Sequence, residues 1–160
     1  MASEVRINPR VNRLLRRLPD EIKDGLKDAY VEAAQVLQYE IMVRAPQDTG
    51  DMAASVGYRL GPKGRFVTVG PGLSGPSKAR NWQRVKARWI EFGTKAHKIK
   101  AKNRKALTDE EQFFGKLIQS PGTPPKPFLK PALEASRPQI RDQLGEAVSK
   151  VVRTYAQRNS

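Results

Sequence analysis

Residues 19–44 read PDEIKDGLKDAYVEAAQVLQYEIMVR, and this stretch sets the fold class. Its apolar residues Ile22, Leu26, Ala29, Tyr30, Ala33, Leu37 and Ile41 recur three and four positions apart, the spacing of one face of an α-helix. Lys23, Lys27, Asp28 and Gln38 fall on the other faces. Pro19 suits a helix start, where its missing N–H is no loss, and Asp20 and Glu21 place negative charge where the helix dipole favours it. Pro46 ends the run, because the residue ahead of a proline is pushed out of the α region. The expectation is one amphipathic helix over residues 19–44.

Ahead of it, Met1–Leu18 is a basic arm with Arg6, Arg10, Arg13, Arg16 and Arg17; Leu14, Leu15 and Leu18 are its only apolar cluster. Such a terminus forms a short helical turn or stays without fixed structure until bound. Beyond the helix, residues 45–51 are a tight loop. Met52–Leu60 and Arg65–Gly70 are predicted strands around Gly61-Pro62-Lys63-Gly64, with Phe66, Val67 and Val69 as strand formers. Residues 71–77, rich in Gly, Pro and Ser, form a loop. Residues 79–91 are predicted as a helical turn leading into a strand at Trp89–Thr94. Residues 95–105 alternate around Ile99 as an edge strand or extended arm, Lys116–Gln119 makes another short strand, and residues 123–127 are a proline-rich connector. Phe128–Tyr155 is a second helix or a kinked pair. Pro131 is tolerated in its first turn, Ser136 and Pro138 cap and restart it, and Ile140, Leu144, Val148, Val151, Val152 and Tyr155 form its stripe.

The predicted class is therefore α+β: a long N-terminal helix and a C-terminal helix packed on a small antiparallel β-sheet, with an extended basic loop over about residues 95–125. Two regions are expected, an arm over residues 1–18 and a single domain over residues 19–160. A chain of 160 residues suits one domain that buries roughly 70% of its unfolded surface.

Composition narrows the chemistry. There is no cysteine, so neither a disulfide framework nor a thiolate metal site is available. His97 is the only histidine, too few for a histidine-built zinc site, and it sits among lysines rather than beside a triad partner. No apolar run reaches membrane-span length, and the first residues lack the apolar core of a secretory signal, so the expectation is a protein that stays in the cytoplasm where it is made. The net charge of +14 favours partners with negative surfaces. The glycine pairs at residues 61–64 and 70–72 lack the spacing of phosphate loops.

Three motifs stand out. Ala45-Pro46-Gln47-Asp48-Thr49-Gly50-Asp51-Met52, followed by Ser55, is a helix stop and a turn; Asp48 is expected to bond its own backbone two residues on, and Gly50 to take a positive φ. Ala87-Arg88-Trp89-Ile90-Glu91-Phe92-Gly93-Thr94 offers Trp89 and Phe92 as apolar anchors. Its Glu91 is the sole acid among Lys78, Arg80, Arg84, Lys86, Arg88, Lys95, Lys98, Lys100, Lys102, Arg104 and Lys105. A carboxylate so placed is expected to be an ion-pair hub rather than a general base. These eleven cations are the candidate basic contact surface. Pro121-Gly122-Thr123-Pro124-Pro125-Lys126-Pro127-Phe128-Leu129-Lys130-Pro131-Ala132-Leu133 is a stiff connector running into a helix start, with Phe128 and Leu129 plugging the core.

In this order and spacing, over about Ala29–Ala135, the motifs resemble the tail-component family of long-tailed bacteriophages: tail-completion, neck or head–tail joining proteins, similar to the minor tail protein Z group. Met52 stands where a leucine is common, and the arm at residues 1–18 lies outside the resemblance. The resemblance implies a structural virion protein with no catalysis and no cofactor. Its implied partners are copies of itself in a ring of sixfold organisation and other neck and tail proteins, namely connector or stopper, tail terminator and tail tube. It implies framework roles for Asp48, Thr49 and Gly50, for Trp89, Glu91, Phe92, Gly93 and Thr94, and for Pro127, Phe128, Leu129, Pro131, Ala132 and Leu133. A tail terminator or head-closure protein is the alternative within the virion. A nucleic-acid-binding module, with Trp82 and Trp89 stacking on bases and the cations of Arg6–Arg17 and Lys95–Lys105 on phosphates, is the alternative of another class.

Overall fold

The structure is a computed structural model and describes residues 20–64, 66–100, 107–108, 113–115 and 117–158. The basic arm at residues 1–18 and Lys102, Arg104 and Lys105 lie outside the described residues.

The opening stretch forms α1 (Asp20–Gly25) and α2 (Lys27–Arg44). Leu26 between them has φ −89° and ψ −12°, yet it still donates to the Ile22 carbonyl at 3.2 Å and accepts from Tyr30 at 3.0 Å. The two therefore run as one rod with a slackened turn beside Gly25. Ile22, Leu26, Ala29, Ala33 and Ile41 are buried along it, the face read from the periodicity. Tyr30 is half-buried, and burial pushes its hydroxyl pKa above the ordinary phenol value.

The second long element, α5 (Leu129–Arg158), is one helix of 30 residues rather than a kinked pair. Ser136 does not cap a restart. It is buried inside the helix just ahead of Pro138 and satisfies its hydroxyl by donating back to the carbonyls of Ala132 at 2.9 Å and Leu133 at 3.3 Å. α5 runs antiparallel to the α1–α2 rod. Ile41 and Ala45 share a cluster with Phe128 and Ala132 at one end, and a Cβ on Gly25 would meet Val151 at 2.9 Å at the other.

Two predicted strands give way to helix. Residues 51–54 form α3 (Asp51–Ala54), and β1 (Gly57–Leu60) begins only afterwards. Met52, Ser55 and Val56 are buried at three- and four-residue spacing, so the segment presents a helical turn, not an alternating strand, to the core. α4 (Ser77–Phe92) continues through the segment predicted as a strand at Trp89–Thr94, and only Thr94 bridges, to Thr123.

Among the described residues the remaining strands make three two-stranded antiparallel ribbons instead of one sheet. β1 pairs β2 (Val67–Gly70) with Tyr58 opposite Val69 and Leu60 opposite Val67. β3 (His97–Lys100) pairs β6 (Leu117–Ser120), and β4 (Leu107–Thr108) pairs β5 (Phe113–Gly115). The α+β class stands, with α2 packed on α5 and on the β1–β2 hairpin. Part of the stretch read as an extended basic arm is thus paired as β3, exposed at all four residues.

Candidate functional site

The three sequence motifs meet at one place. Ile41, Ala45, Met52, Val56, Ala87, Phe128 and Ala132 form a buried cluster, with Leu37, Val69, Ile90 and Leu129 packed around it. Ala45 and Met52 come from the first motif, Ala87 and Ile90 from the second, and Phe128, Leu129 and Ala132 from the third.

Glu91 does the joining. It is 6% exposed and lies in the last turn of α4. Its Oε2 accepts the backbone N–H of Phe128 at 2.8 Å and of Leu129 at 2.9 Å; its Oε1 accepts that of Lys130 at 3.0 Å. A helix begins with four N–H groups that have no partner inside it. Here three go to one carboxylate. The next residue, Pro131, has no N–H to satisfy, and Ala132 makes the first internal bond, to the Phe128 carbonyl at 3.2 Å. The first turn of α5 is thereby fully accounted for. The negative charge also lies at the positive end of the α5 dipole. The expected ion-pair hub is therefore corrected: among the described residues Glu91 is held by backbone amides, while the ion pairs Lys23–Asp20, Lys27–Asp24, Arg44–Glu40 and Lys130–Glu134 are local surface contacts.

Backbone pairing completes the joint. Thr94 and Thr123 exchange N–H···O bonds of 2.9 and 3.1 Å, and Lys126 donates to the Ile90 carbonyl at 2.7 Å. Gly93 makes this approach possible with φ 70° and ψ −179°, a conformation open to glycine almost alone; a Cβ there would lie 2.5 Å from the Thr123 oxygen. Gly93→Ala is expected to cost at least 1–3 kcal/mol (order of magnitude, from the backbone conformation alone). A fall in the denaturation midpoint of the purified chain checks it; an unchanged midpoint would contradict the close approach.

The first motif acts through Thr49 and Ser55 rather than Asp48. Gly50 has φ 73°, and the Thr49 hydroxyl accepts a long 3.4 Å bond from the Asp51 amide; Asp48 is exposed. Buried Ser55 donates its hydroxyl to the Met52 carbonyl at 2.8 Å and accepts the Gly72 amide at 3.3 Å. Its carbonyl takes the amides of Leu73 and Ser74 at 3.2 and 3.1 Å. Ser55 so pins the loop ahead of α4, a role its place after the turn did not announce.

Trp89 and Phe92 are not core anchors. They are 45% and 56% exposed. The face of α4 that packs inward is Gln83, Ala87 and Glu91, four residues apart. Trp82, Val85, Trp89 and Phe92 lie on the outer face, with the Trp82 and Trp89 rings edge to face at a centroid distance of 5.5 Å. Pro127 is exposed, whereas Pro131 and Leu133 are half-buried. Of the candidate cations, Lys78, Arg80, Arg84, Lys86 and Arg88 lie on α4, and Lys95, Lys98 and Lys100 lie on or beside β3, so the basic stretch of sequence is divided between a helix and a strand.

Among the described residues no group of three or more His, Asp or Glu side chains is placed to hold a metal ion, and no helix is long and apolar enough to cross a membrane. The joint offers shape and rigidity, not a reactive constellation. Residues 10–93, just over half of the chain, match the family described as "Bacteriophage HK97-gp10, putative tail-component". The chain belongs to this family. No curated protein and no solved structure gave a match. The family match takes in residues 10–18 of the basic arm, which the resemblance left outside, the whole first motif and the second as far as Gly93, and it does not reach the third. As a phage tail component the chain is a structural protein of the virion that works among other tail proteins.

Proposed function

We propose that this chain is a tail-completion, head–tail joining subunit of a long-tailed phage neck, forming a ring between connector and tail tube. Residues 1–18 serve as a basic arm and residues 19–160 as one domain, with the segment around residues 95–125 reaching toward neighbours. Copies of the chain, in a ring of six, and the connector or stopper, terminator and tube proteins are its partners. The basic surfaces face acidic neighbours or the phosphates of packaged DNA, which they would touch without reading sequence.

Within the tail-component family, one observation carries this reading: the chain exposes what a free-standing domain buries. Among the described residues fourteen large hydrophobic side chains are exposed, while six of the twelve buried hydrophobics are alanines. Tyr39, Met42 and Val43 lie outside on α2, and Trp82, Val85, Trp89 and Phe92 on α4. Contiguous exposed apolar surface marks interaction sites. A rigid joint between such faces is what a subunit packed on several sides needs.

The test is electron microscopy of a lysate from the parent phage carrying a stop codon in this gene. Filled heads beside free tails of normal length are expected. Overlong tails would reassign the chain to tail termination, and empty leaky heads to head closure. Intact infectious particles would remove the neck role altogether.

A further inference from the structure

We propose that the aromatic stripe of α4 docks head to tail into the groove between the α1–α2 rod and α5 of a second copy of this chain, where three carboxylates outnumber two cations, an inference that rests on the assembly role above. At 100° per residue, Lys78, Trp82, Val85, Trp89 and Phe92 fall within one narrow sector of α4, flanked by Lys86 on one side and Arg88 on the other. No acid is exposed on this helix, since Glu91 is turned inward. Trp and Arg are the residues that most often anchor a protein interface.

The charge decides what can cover the stripe. Two stripes face to face would set Lys78, Lys86 and Arg88 against their own copies, and like charges across an interface cost affinity. Stacked bases are a poor fit, because Trp82 and Trp89 already pack edge to face on each other and Val85 and Phe92 have no use for phosphate. The occupant must offer an apolar floor with carboxylates beside it.

The chain carries such a surface at its other end. A groove of about 610 Å³ lies between the N-terminal rod and the C-terminal half of α5. Ile22, Gly25, Ala29, Ala147 and Val151 supply apolar lining, and Asp28, Glu32 and Glu146 supply three carboxylates. Lys150 and Arg158 also line it, leaving an excess of one negative charge. The stripe belongs to a helix packed near Ala45, whereas the groove is centred near Gly25. Twenty helical residues separate these points by roughly 30 Å. One chain cannot bring them together, but adjacent chains can, and two different patches meeting head to tail generate a ring where the rotation closes.

The absence of native cysteine gives a clean test. Val85→Cys and Ala147→Cys are placed in one full-length chain, which is oxidised as concentrated protein and within assembled particles. The expected result is a ladder of dimer, trimer and higher multimers on a non-reducing gel, which collapses to monomer when reductant is added. Each single-cysteine variant should stay monomeric, and adding Trp89→Ser, an exposed position, should cut the ladder roughly tenfold or more. A dimer from Val85→Cys alone would show stripe against stripe and overturn the proposal. So would monomers only from the double variant, or a ladder that ignores Trp89→Ser. Joined, infectious particles without a ladder would keep the tail-joining role and discard this contact. A ladder from a chain whose stop codon leaves particles intact would do the reverse.

Discussion

Glu91→Ala is expected to lower the unfolding free energy by about 3–5 kcal/mol, because a buried charged acceptor and three amide bonds are lost together. Two of those amides belong to residues packed at the core, Phe128 and Leu129, so water cannot replace the carboxylate without opening the joint. Glu91→Gln separates the charge from the shape. Its carbonyl oxygen can keep the Phe128 and Leu129 amides, but its NH₂ then points a donor at the Lys130 donor. An intermediate loss of about 1.5–3 kcal/mol is expected, the value of a hydrogen bond to a charged group. Urea denaturation followed by Trp fluorescence measures both, with the midpoint falling and the slope unchanged. A surface ion-pair hub predicts otherwise: a loss of about 1 kcal/mol or less for the alanine variant, shrinking further in salt. Either of those results would sink the capping role.

The contrast shows where sequence reading held and where it failed. The α1–α2 rod was legible because its stripe buries one face in the ordinary way, and Pro46 marks its end. α5 was legible as helical but not as continuous. Ser136 and Pro138 resemble a stop and restart, and only the buried back-bond of Ser136 to the preceding turn reveals otherwise. α4 is only half legible in the sequence, because its large aromatics read as the inward face. Its inner face is Gln83, Ala87 and Glu91, small or polar residues chosen for close approach and for bonds to another segment. Period alone cannot tell which face of a helix is covered when both carry a pattern. The capping role of Glu91 had no local signature, since its partners lie 37 to 39 residues away. What the sequence did show was an anomaly, one acid among eleven cations. The anomaly marked the right residue and suggested the wrong partner. Singly the three motifs are turns and connectors; their convergence on one cluster depends on tertiary pairing such as Thr94 with Thr123, which no spacing rule encodes.

Phe128→Ala is expected to cost about 3–5 kcal/mol, the upper range for truncating a buried aromatic. Phe128 is 3% exposed and shares its cluster with Ile41, Ala45, Met52, Val56, Ala87 and Ala132. The three alanines carry single methyl groups and cannot swing inward, so closure falls to Ile41, Met52 and Val56, and the cavity that remains adds its cost to the lost burial. Phe128→Leu, which keeps most of the volume, should cost markedly less. The informative experiment is the cycle with Glu91→Ala. Glu91 holds the Phe128 amide while the Phe128 ring holds the same turn in the core, so each single change loosens what the other relies on. The double variant should fall short of the summed losses by about 0.5–3 kcal/mol, the range for residues sharing a network. A control pair, Phe128→Ala with Ile22→Ala at the far end of the rod, should add within roughly 0.5 kcal/mol. Strict additivity of Glu91 and Phe128 would mean that the cap and the plug act independently, and that the three motifs are neighbours without being one joint.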